Sequence, residues 1–428
     1  MPATGPVHLG IDVGTSGVRG IAIDSVGDVA AMVSAPLPTP VASDGGLRQE
    51  PQLWWAAVAE VIRDITASLR ATSIRSLAVD GTSGTLLVTD ARGTPLAPAG
   101  MYNDASAAHL SGRIKEVAPL ESGAHGSTSP LARLLVLQAQ HPEARHALHQ
   151  ADWIAARLTG RLGLSDDNNA LKLGYDPVAR CWPPWLDALA VRRELLPSVV
   201  APGTPLGPVR AEIAAGLGLG ADCMVVAGTT DGCASFLATG ADAPGDGVTA
   251  LGTTLTLKLM SPVPVFAPAH GVYSHRLGDR WLVGGASNSG GKALLRFFTT
   301  ARMAELTPLL RPDRPTGLDW HPLPEPGERF PVADPALSFT PEPRPADDVQ
   351  LFQGLLEGIA NVEATAYRLL AKLGAPTLRT VRTVGGGAGN PAWTAIRARL
   401  LDVPMPPVLS LEPAYGTALL ARRGATGR

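Results

Sequence analysis

Two short stretches about 240 residues apart constrain this chain more than any other feature. In the first, Val7–Val13 is an apolar run with one acid, Asp12, and it breaks at Gly14-Thr15-Ser16-Gly17. In the second, residues 247–260, an apolar run breaks at Gly252-Thr253-Thr254 and resumes. Each reads as a buried strand, a glycine turn bearing hydroxyl side chains, and a strand returning alongside. One design used twice at that distance implies two similar domains.

The residues between and after them alternate in type. Trp54, Val58, Val61, Ile62, Ile65 and Leu69 recur at helical spacing, and Pro51 suits a first turn, which predicts a helix over Pro51–Leu69. Residues 74–80 form a strand that again ends on an acid beside glycine, and 223–227 a further buried strand with a helix after it. Asp348 opens a long amphipathic helix to about residue 373, followed by a strand at Thr380–Val384, a glycine turn at 385–389 and a helix carrying Trp393, Ile396 and Leu400. A short tail helix closes the chain. Strands alternating with helices predict an α/β architecture. Residues 311–345 hold 10 prolines in 35 positions and predict an extended surface excursion.

Composition removes several function classes. Lys+Arg 36 against Asp+Glu 38 leaves a net charge of -2, without the basic excess of a general nucleic-acid binder. No apolar run is long enough to span a membrane. Three cysteines, Cys181, Cys223 and Cys233, form no disulfide framework and fit a reducing compartment. No basic residue precedes Arg19, so no signal-peptide n-region is expected. These features predict a cytoplasmic protein that partners neither nucleic acid nor membrane; a monomer or homodimer is expected, on no feature of composition.

The chemistry sits at the turns. Glycine lets backbone N–H groups approach a phosphate, and Thr and Ser hydroxyls add uncharged donors. One such turn is an ordinary hairpin; three in one chain point to a nucleotide-phosphate clamp. Other nucleotide and hydrolase motifs fail on spacing. Residues 286–293 read Ala-Ser-Asn-Ser-Gly-Gly-Lys-Ala, which is not a Walker A loop, and Gly216-Leu217-Gly218-Leu219-Gly220 precedes a strand and reads as a helix stop. His141, His146 and His149 are expected on a polar surface helix rather than around a metal. Asp12 and Asp231 both end apolar strands, where α/β sheets bind ligands. An Asp at the head of a helix is often a cap, but there it is also held ionised and able to accept a proton.

Taken together, the motifs resemble the FGGY carbohydrate kinases. Gly10-Ile11-Asp12-Val13-Gly14-Thr15-Ser16, Gln49-Glu50-Pro51 with Trp54-Trp55, Leu158-Thr159-Gly160, Asn169-Ala170, residues 228–232, residues 251–254, Gly327-Glu328-Arg329-Phe330-Pro331 and residues 385–390 with Trp393 follow in family order. Asp80-Gly81-Thr82-Ser83-Gly84-Thr85, residues 169–175 and residues 271–275 resemble the short D-ribulokinase and xylulokinase-like group of cyanobacteria and plants. Many longer relatives carry W-x-D-x-R, whereas this chain reads Met101-Tyr102-Asn103-Asp104-Ala105-Ser106, so glycerol-type recognition is not implied.

The resemblance implies two duplicated RNase H-like domains of the actin/hexokinase-like ATPase type with an interdomain cleft that closes on ligands. The sugar-binding domain is expected at 1–238, joined by the tail helix at 412–428, and the nucleotide-binding domain at 239–411. It implies ATP with Mg²⁺ as donor and a small sugar as acceptor, D-ribulose first. The alternatives are D-xylulose, another polyol, or an actin-like nucleotide-gated ATPase that phosphorylates nothing. Asp12, Ser83 and Asp231 are the expected sugar contacts, with Asp231 as base and Asp12 also on the metal. Gly14, Thr15, Ser16, Gly252, Thr253 and Thr254 are expected on the phosphates. Gly386, Gly387 and Asn390 are expected on the nucleoside, with Trp393 near the base.

Overall fold

The opening apolar run forms the strand Val7–Val13, antiparallel to Gly17–Ile23, which pairs in turn with Val29–Pro36. On its other side Val7–Val13 runs parallel to Ile74–Gly81, followed by Met224–Val226 in parallel and Pro205–Pro208 at the edge. Val7–Val13 is buried nearly throughout, which is why its sequence is a continuous apolar run. The Pro51–Leu69 helix covers one face, inserting Val61 and Ile65 over Gly20. The tail helix Pro413–Thr426 lies on the opposite face, against Gly10. This computed structural model describes residues 5–43, 45–69 and 73–426.

These elements belong to the first of two units, which comprises the described residues up to Ala238, residues 276–278, and those from Ser410 onward. A smaller sheet in the same unit joins Val41–Ser43, Gly46–Gln49, Ala99–Gly100, Leu86–Thr89 and His146–His149. The second unit comprises 239–275 and 279–409. Its Asp246–Leu251 strand runs antiparallel to Leu255–Ser261 and parallel to Thr380–Val384, and Arg280–Ser287 pairs with Leu255–Ser261. The same wiring thus occurs twice: a hairpin, a third antiparallel strand beyond it, and a parallel strand on the near side. The Asp348–Lys372 helix buries Leu355, Ile359, Val362 and Ala366 in the second core.

Two expectations are corrected. The histidines do not share a helix. The helix Pro130–Gln140 ends before His141, and His146–His149 is a strand paired antiparallel with Leu86–Thr89, with the His149 side chain fully buried. Pro142 interrupts the helical run, and the alternation in His-Ala-Leu-His suits a strand. The proline-rich stretch is irregular but not a surface excursion. Trp320, Leu323, Phe330 and Phe339 are buried in the second core, and Glu328 accepts hydrogen bonds from Ser287 Oγ (2.6 Å) and the Asn288 amide (2.8 Å). Proline excludes regular structure; it does not exclude burial of the aromatics between prolines.

Gly10 is the tightest point of the tail-helix contact. A Cβ there would lie 2.0 Å from the Ala414 carbonyl oxygen and 2.2 Å from the Ala418 nitrogen, both backbone. Gly10→Ala is therefore expected to cost about 3 kcal/mol, the upper end for overpacking. Gly112→Ala, in the exposed helix Ser111–Val117 with nothing within 4 Å, is expected to add up to about 1 kcal/mol. Melting temperatures of the two variants check this, and equal values for both would remove the steric argument.

Candidate active site

In the first unit three neighbouring strand ends carry the acids. Asp12 and Asp80 are register partners in the parallel pair of Val7–Val13 with Ile74–Gly81, so their side chains leave the sheet on the same face. A parallel bridge between Gly81 and Thr230 brings the third end alongside, immediately before Asp231. The crossing is close. A Cβ on Gly228 would lie 1.8 Å from the Val79 carbonyl oxygen, so only glycine fits where this loop leaves the sheet.

Burial and mutual repulsion set the protonation of this group. Asp12 is pushed up to about 6, chiefly by burial and then by Asp231, against a hydrogen bond with Asp80 that acts the other way. Asp80, fully buried, is raised well above the usual carboxylate range by burial and by Asp12. The two carboxyls reach each other for a hydrogen bond, which two acids can form only by sharing a proton. Thr417 Oγ1, on the tail helix, donates to Asp80 Oδ2, while no N–H or O–H among the described residues reaches Asp80 Oδ1.

Asp231 opens the helix Asp231–Ala238. The Thr230 carbonyl already accepts from the Ala234 amide at 2.9 Å, so Thr230 holds the cap position and Asp231 is the first helical residue. Its Oδ1 accepts the Gly232 amide at 2.7 Å. The simple cap reading of Asp231 is thereby displaced. Ser83 lies on the turn after Ile74–Gly81, with its hydroxyl buried and, among the described residues, without a hydrogen-bond partner. Gly14, Thr15 and Ser16 form the tight turn out of Val7–Val13, closed by the Gly14 amide donating to the Gly17 carbonyl at 2.9 Å. Asp12, Ser83, Asp231 and this turn are all at the carboxyl ends of one sheet.

The second unit contains a cavity of about 660 Å³. Gly252, Thr253, Gly386, Gly387, Asn390 and Trp393 line it; Thr254, in the same turn, does not. The Gly252 and Thr253 carbonyls accept from the Gly291 (2.9 Å) and Lys292 (3.1 Å) amides, so the 290–292 segment that failed as a Walker loop still borders the site. Asn390 caps the Pro391–Leu401 helix, accepting from the Trp393 amide at 3.0 Å, and its Nδ2 donates to Thr307 Oγ1 at 3.1 Å. Trp393 serves both readings: it is buried in the core with Ile396, donates from Nε1 to the Leu356 carbonyl at 3.2 Å, and presents a surface to the cavity. A buried pair, Arg397 with Glu363 (2.6 and 2.7 Å), ties this helix to Asp348–Lys372, and Arg397 Nη1 donates to Thr383 Oγ1 at 2.7 Å. That fixes the base of the 385–389 turn.

Sequence reasoning missed Asp80 as a site residue, although its signal, an acid closing a strand beside glycine, is the one that singled out Asp12. It also missed Met303, Thr307 and Phe352 on the cavity wall, which come from segments with no motif. A nucleotide fits this lining: an apolar wall for a base, glycine backbone for phosphates, and room for both. Among the described residues no cluster of three or more His, Cys, Asp or Glu side chains could hold a metal by itself. Mg²⁺ is commonly bound by one or two carboxylates together with substrate phosphates. The crowded Asp12 side, destabilised as an anion, suits a dication on those terms.

Sheets wired in this way, each with a glycine turn after its first strand, define the duplicated actin/hexokinase-like ATPase fold. Residues 7–238 match the N-terminal domain of the FGGY family of carbohydrate kinases and residues 247–425 its C-terminal domain. The chain belongs to that family. It is 29% identical to the xylulose kinase of Streptomyces coelicolor over 94% of this chain and 84% of the relative. It is 27% identical to the autoinducer-2 kinase of Yersinia enterocolitica over 98% of this chain and 87% of that one. A crystal structure of a xyloylose kinase from Brucella ovis superposes with a TM-score of 0.88 at 24% identity, over 99% of this chain and 91% of the other. No helix among the described residues is long and apolar enough to cross a membrane.

The acid cluster predicts a stability signature. The folded state holds Asp12 at about 6, against 3.8 as its ordinary value. Between those values the folded protein keeps a proton that the unfolded chain releases, so stability falls as pH rises through the window and stays reduced above it. Asp12→Asn is expected to melt higher than the parent at pH 8, by up to about 3 kcal/mol at 1.36 kcal/mol per unit. The difference should disappear towards pH 4. A variant that melts lower at pH 8 would show that the carboxylate is not strained there.

Proposed function

We propose that this protein transfers the γ-phosphoryl group of ATP to a hydroxyl of a ketopentose, with D-xylulose the first candidate and D-ribulose the second. The observation that carries this reading is the group at the strand ends, where Asp12, Asp231 and the Ser83 hydroxyl, unpartnered among the described residues, lie at the carboxyl ends of one sheet. The sequence resemblance favoured D-ribulose; the Streptomyces relative's name as a xylulose kinase moves D-xylulose ahead of it. The two sugars are epimers at one carbon, so the order turns on one hydroxyl.

In this reading Asp231 accepts the proton of the attacking hydroxyl. As the first residue of its helix, it faces a field that favours its ionised form. A weak base suffices, because phosphoryl transfer is loose and the proton leaves late. Ser83 and Asp12 orient the acceptor. Gly14, Thr15 and Ser16, and Gly252 and Thr253, present amides and hydroxyls to the phosphates. Gly386, Gly387 and Asn390 bound the nucleoside, with Trp393 as a rigid wall. Mg²⁺, held on the Asp12 side when bound, supplies charge neutralisation of the phosphates.

ADP release measured with D-xylulose, D-ribulose and glycerol tests the assignment. Turnover with a ketopentose above glycerol in kcat/KM is expected; ATP consumption that no sugar changes favours a nucleotide-gated ATPase instead. Asp231→Asn should lower kcat by about 10²–10⁴-fold with little change in sugar KM, since an amide still hydrogen-bonds a hydroxyl. Retention of more than about a tenth of kcat would leave Asp231 without the base role.

A further inference from the structure

Ser83 is singular in its own turn, because its neighbours are all committed. Gln150 Oε1 accepts from both the Thr82 amide and Thr82 Oγ1, each at 3.0 Å. Thr82 Oγ1 therefore receives the Thr85 hydroxyl proton across their 2.6 Å contact. The Gln150 amide donates to the Thr85 carbonyl at 3.3 Å. On the far side of Ser83 the Gly84 carbonyl accepts from Arg133 Nη2 at 2.6 Å. The turn is thus fixed before and after Ser83, and the one hydroxyl left over in it is buried and unpaired among the described residues. Such a group is destabilising unless a partner completes it.

Arg133 does more than close this turn. It projects from the Pro130–Gln140 helix, is almost wholly buried, and among the described residues donates four hydrogen bonds, each to a backbone carbonyl. Nη1 holds Gly100 and Met101, each at 2.6 Å; Nη2 holds Gly84 and, at 3.3 Å, Thr128. Burial lowers its proton affinity to about 10 against the nearby Asp104 charge, which acts the other way, so it stays a cation at neutral pH. A planar fork presents its donors to two chain segments in a fixed geometry, which the rotatable donors of a compact ammonium do not reproduce. The second segment it holds leads into residues 101–106, where this chain departs from the W-x-D-x-R pattern.

We propose that Arg133 is a positioning residue for the acceptor: by holding the Gly84, Gly100 and Met101 carbonyls together, it sets where Ser83 presents its hydroxyl and how the 101–106 segment lies beside it. The inference rests on the reading of Ser83 as a sugar contact. Arg133 touches no substrate itself. It acts through two loops, and its effect belongs to the sugar and not to the nucleotide, whose cavity lies in the other unit.

Kinetics of Arg133→Lys and Arg133→Gly with D-xylulose and ATP test this, beside Ser83→Ala. Arg133→Lys is expected to lose about 10²-fold in kcat/KM for the sugar, the scale of a misplacement near 1 Å, mostly through KM, with the ATP KM unchanged. Guanidinium ion added to Arg133→Gly should restore part of the sugar KM, and methylammonium should not. If Arg133→Gly does not fold, the Lys variant decides alone. A parallel rise of sugar and ATP KM overturns the inference, because a merely structural loss would move both. So does an unchanged sugar KM in Arg133→Lys while Ser83→Ala raises it, an outcome that leaves the reading of Ser83 standing. An unchanged sugar KM in Ser83→Ala overturns that reading and the inference together.

Discussion

Two acids forced side by side by strand register govern the first unit. Asp12 and Asp80 are paired positions of parallel strands, and a one-residue slip of the first strand would turn Gly10 away from the tail helix and set a side chain in its place. Their repulsion is relieved within the protein by a shared proton and by the Thr417 hydroxyl reaching in from the tail helix. The last helix of the chain is thus tied to the Ile74–Gly81 strand, and Gly10 on the neighbouring Val7–Val13 strand permits the approach by lacking a Cβ. Strain of this kind is tolerated where it has a use. A site destabilised as an anion is one that a cation and a phosphate can complete.

The second unit has a different logic. Its cavity has no crowded charges; it is framed by elements locked from behind. The buried Arg397–Glu363 pair is joined by Thr249 Oγ1 and Thr383 Oγ1, so two helices and two strands meet at one polar node. Removing one partner would leave an uncompensated buried charge, which makes the node all-or-none. Trp393 is seated on the same frame. Its wall position in the cavity and its place in the core are one arrangement, because a nucleotide wall needs a side chain that does not move.

Much of this was legible in the sequence. The Pro51–Leu69 helix follows from helical spacing and its first-turn proline, and Thr380–Val384 from its β-branched run before glycines. Both glycine turns sit at strand ends, since glycine after an apolar run states backbone conformation directly. Gly218 ends its helix in the left-handed conformation, as the glycine-rich stop implies. What was not legible is whatever depends on a partner distant in sequence. The burial of His149 requires the Leu86–Thr89 strand beside it. Phe330 and Phe339 enter a core that the local proline pattern does not reveal. Arg133 looks like any surface arginine on an amphipathic helix until the three segments it binds are brought to it.

That last case bears on how acceptor discrimination could arise on the proposed reading. On that reading Asp231 takes a proton from whichever hydroxyl attacks, so it does not by itself tell one ketopentose from its epimer. Discrimination by a single hydroxyl requires polar groups that are left unpaired by the wrong isomer, held by a shell stiff enough that they cannot adjust. Ser83 Oγ is unpaired and held in this way, with Thr82, Gly84 and Thr85 each committed elsewhere. The 101–106 segment is tethered by the same guanidinium at its first residue, and Asp104 within it is fixed by an ion pair with Arg48 at 2.5 Å. Selectivity would then be set by buried residues behind the sugar contacts, so exchanging Ser83 alone between related kinases would not transfer it unless Arg133 and Gln150 went with it.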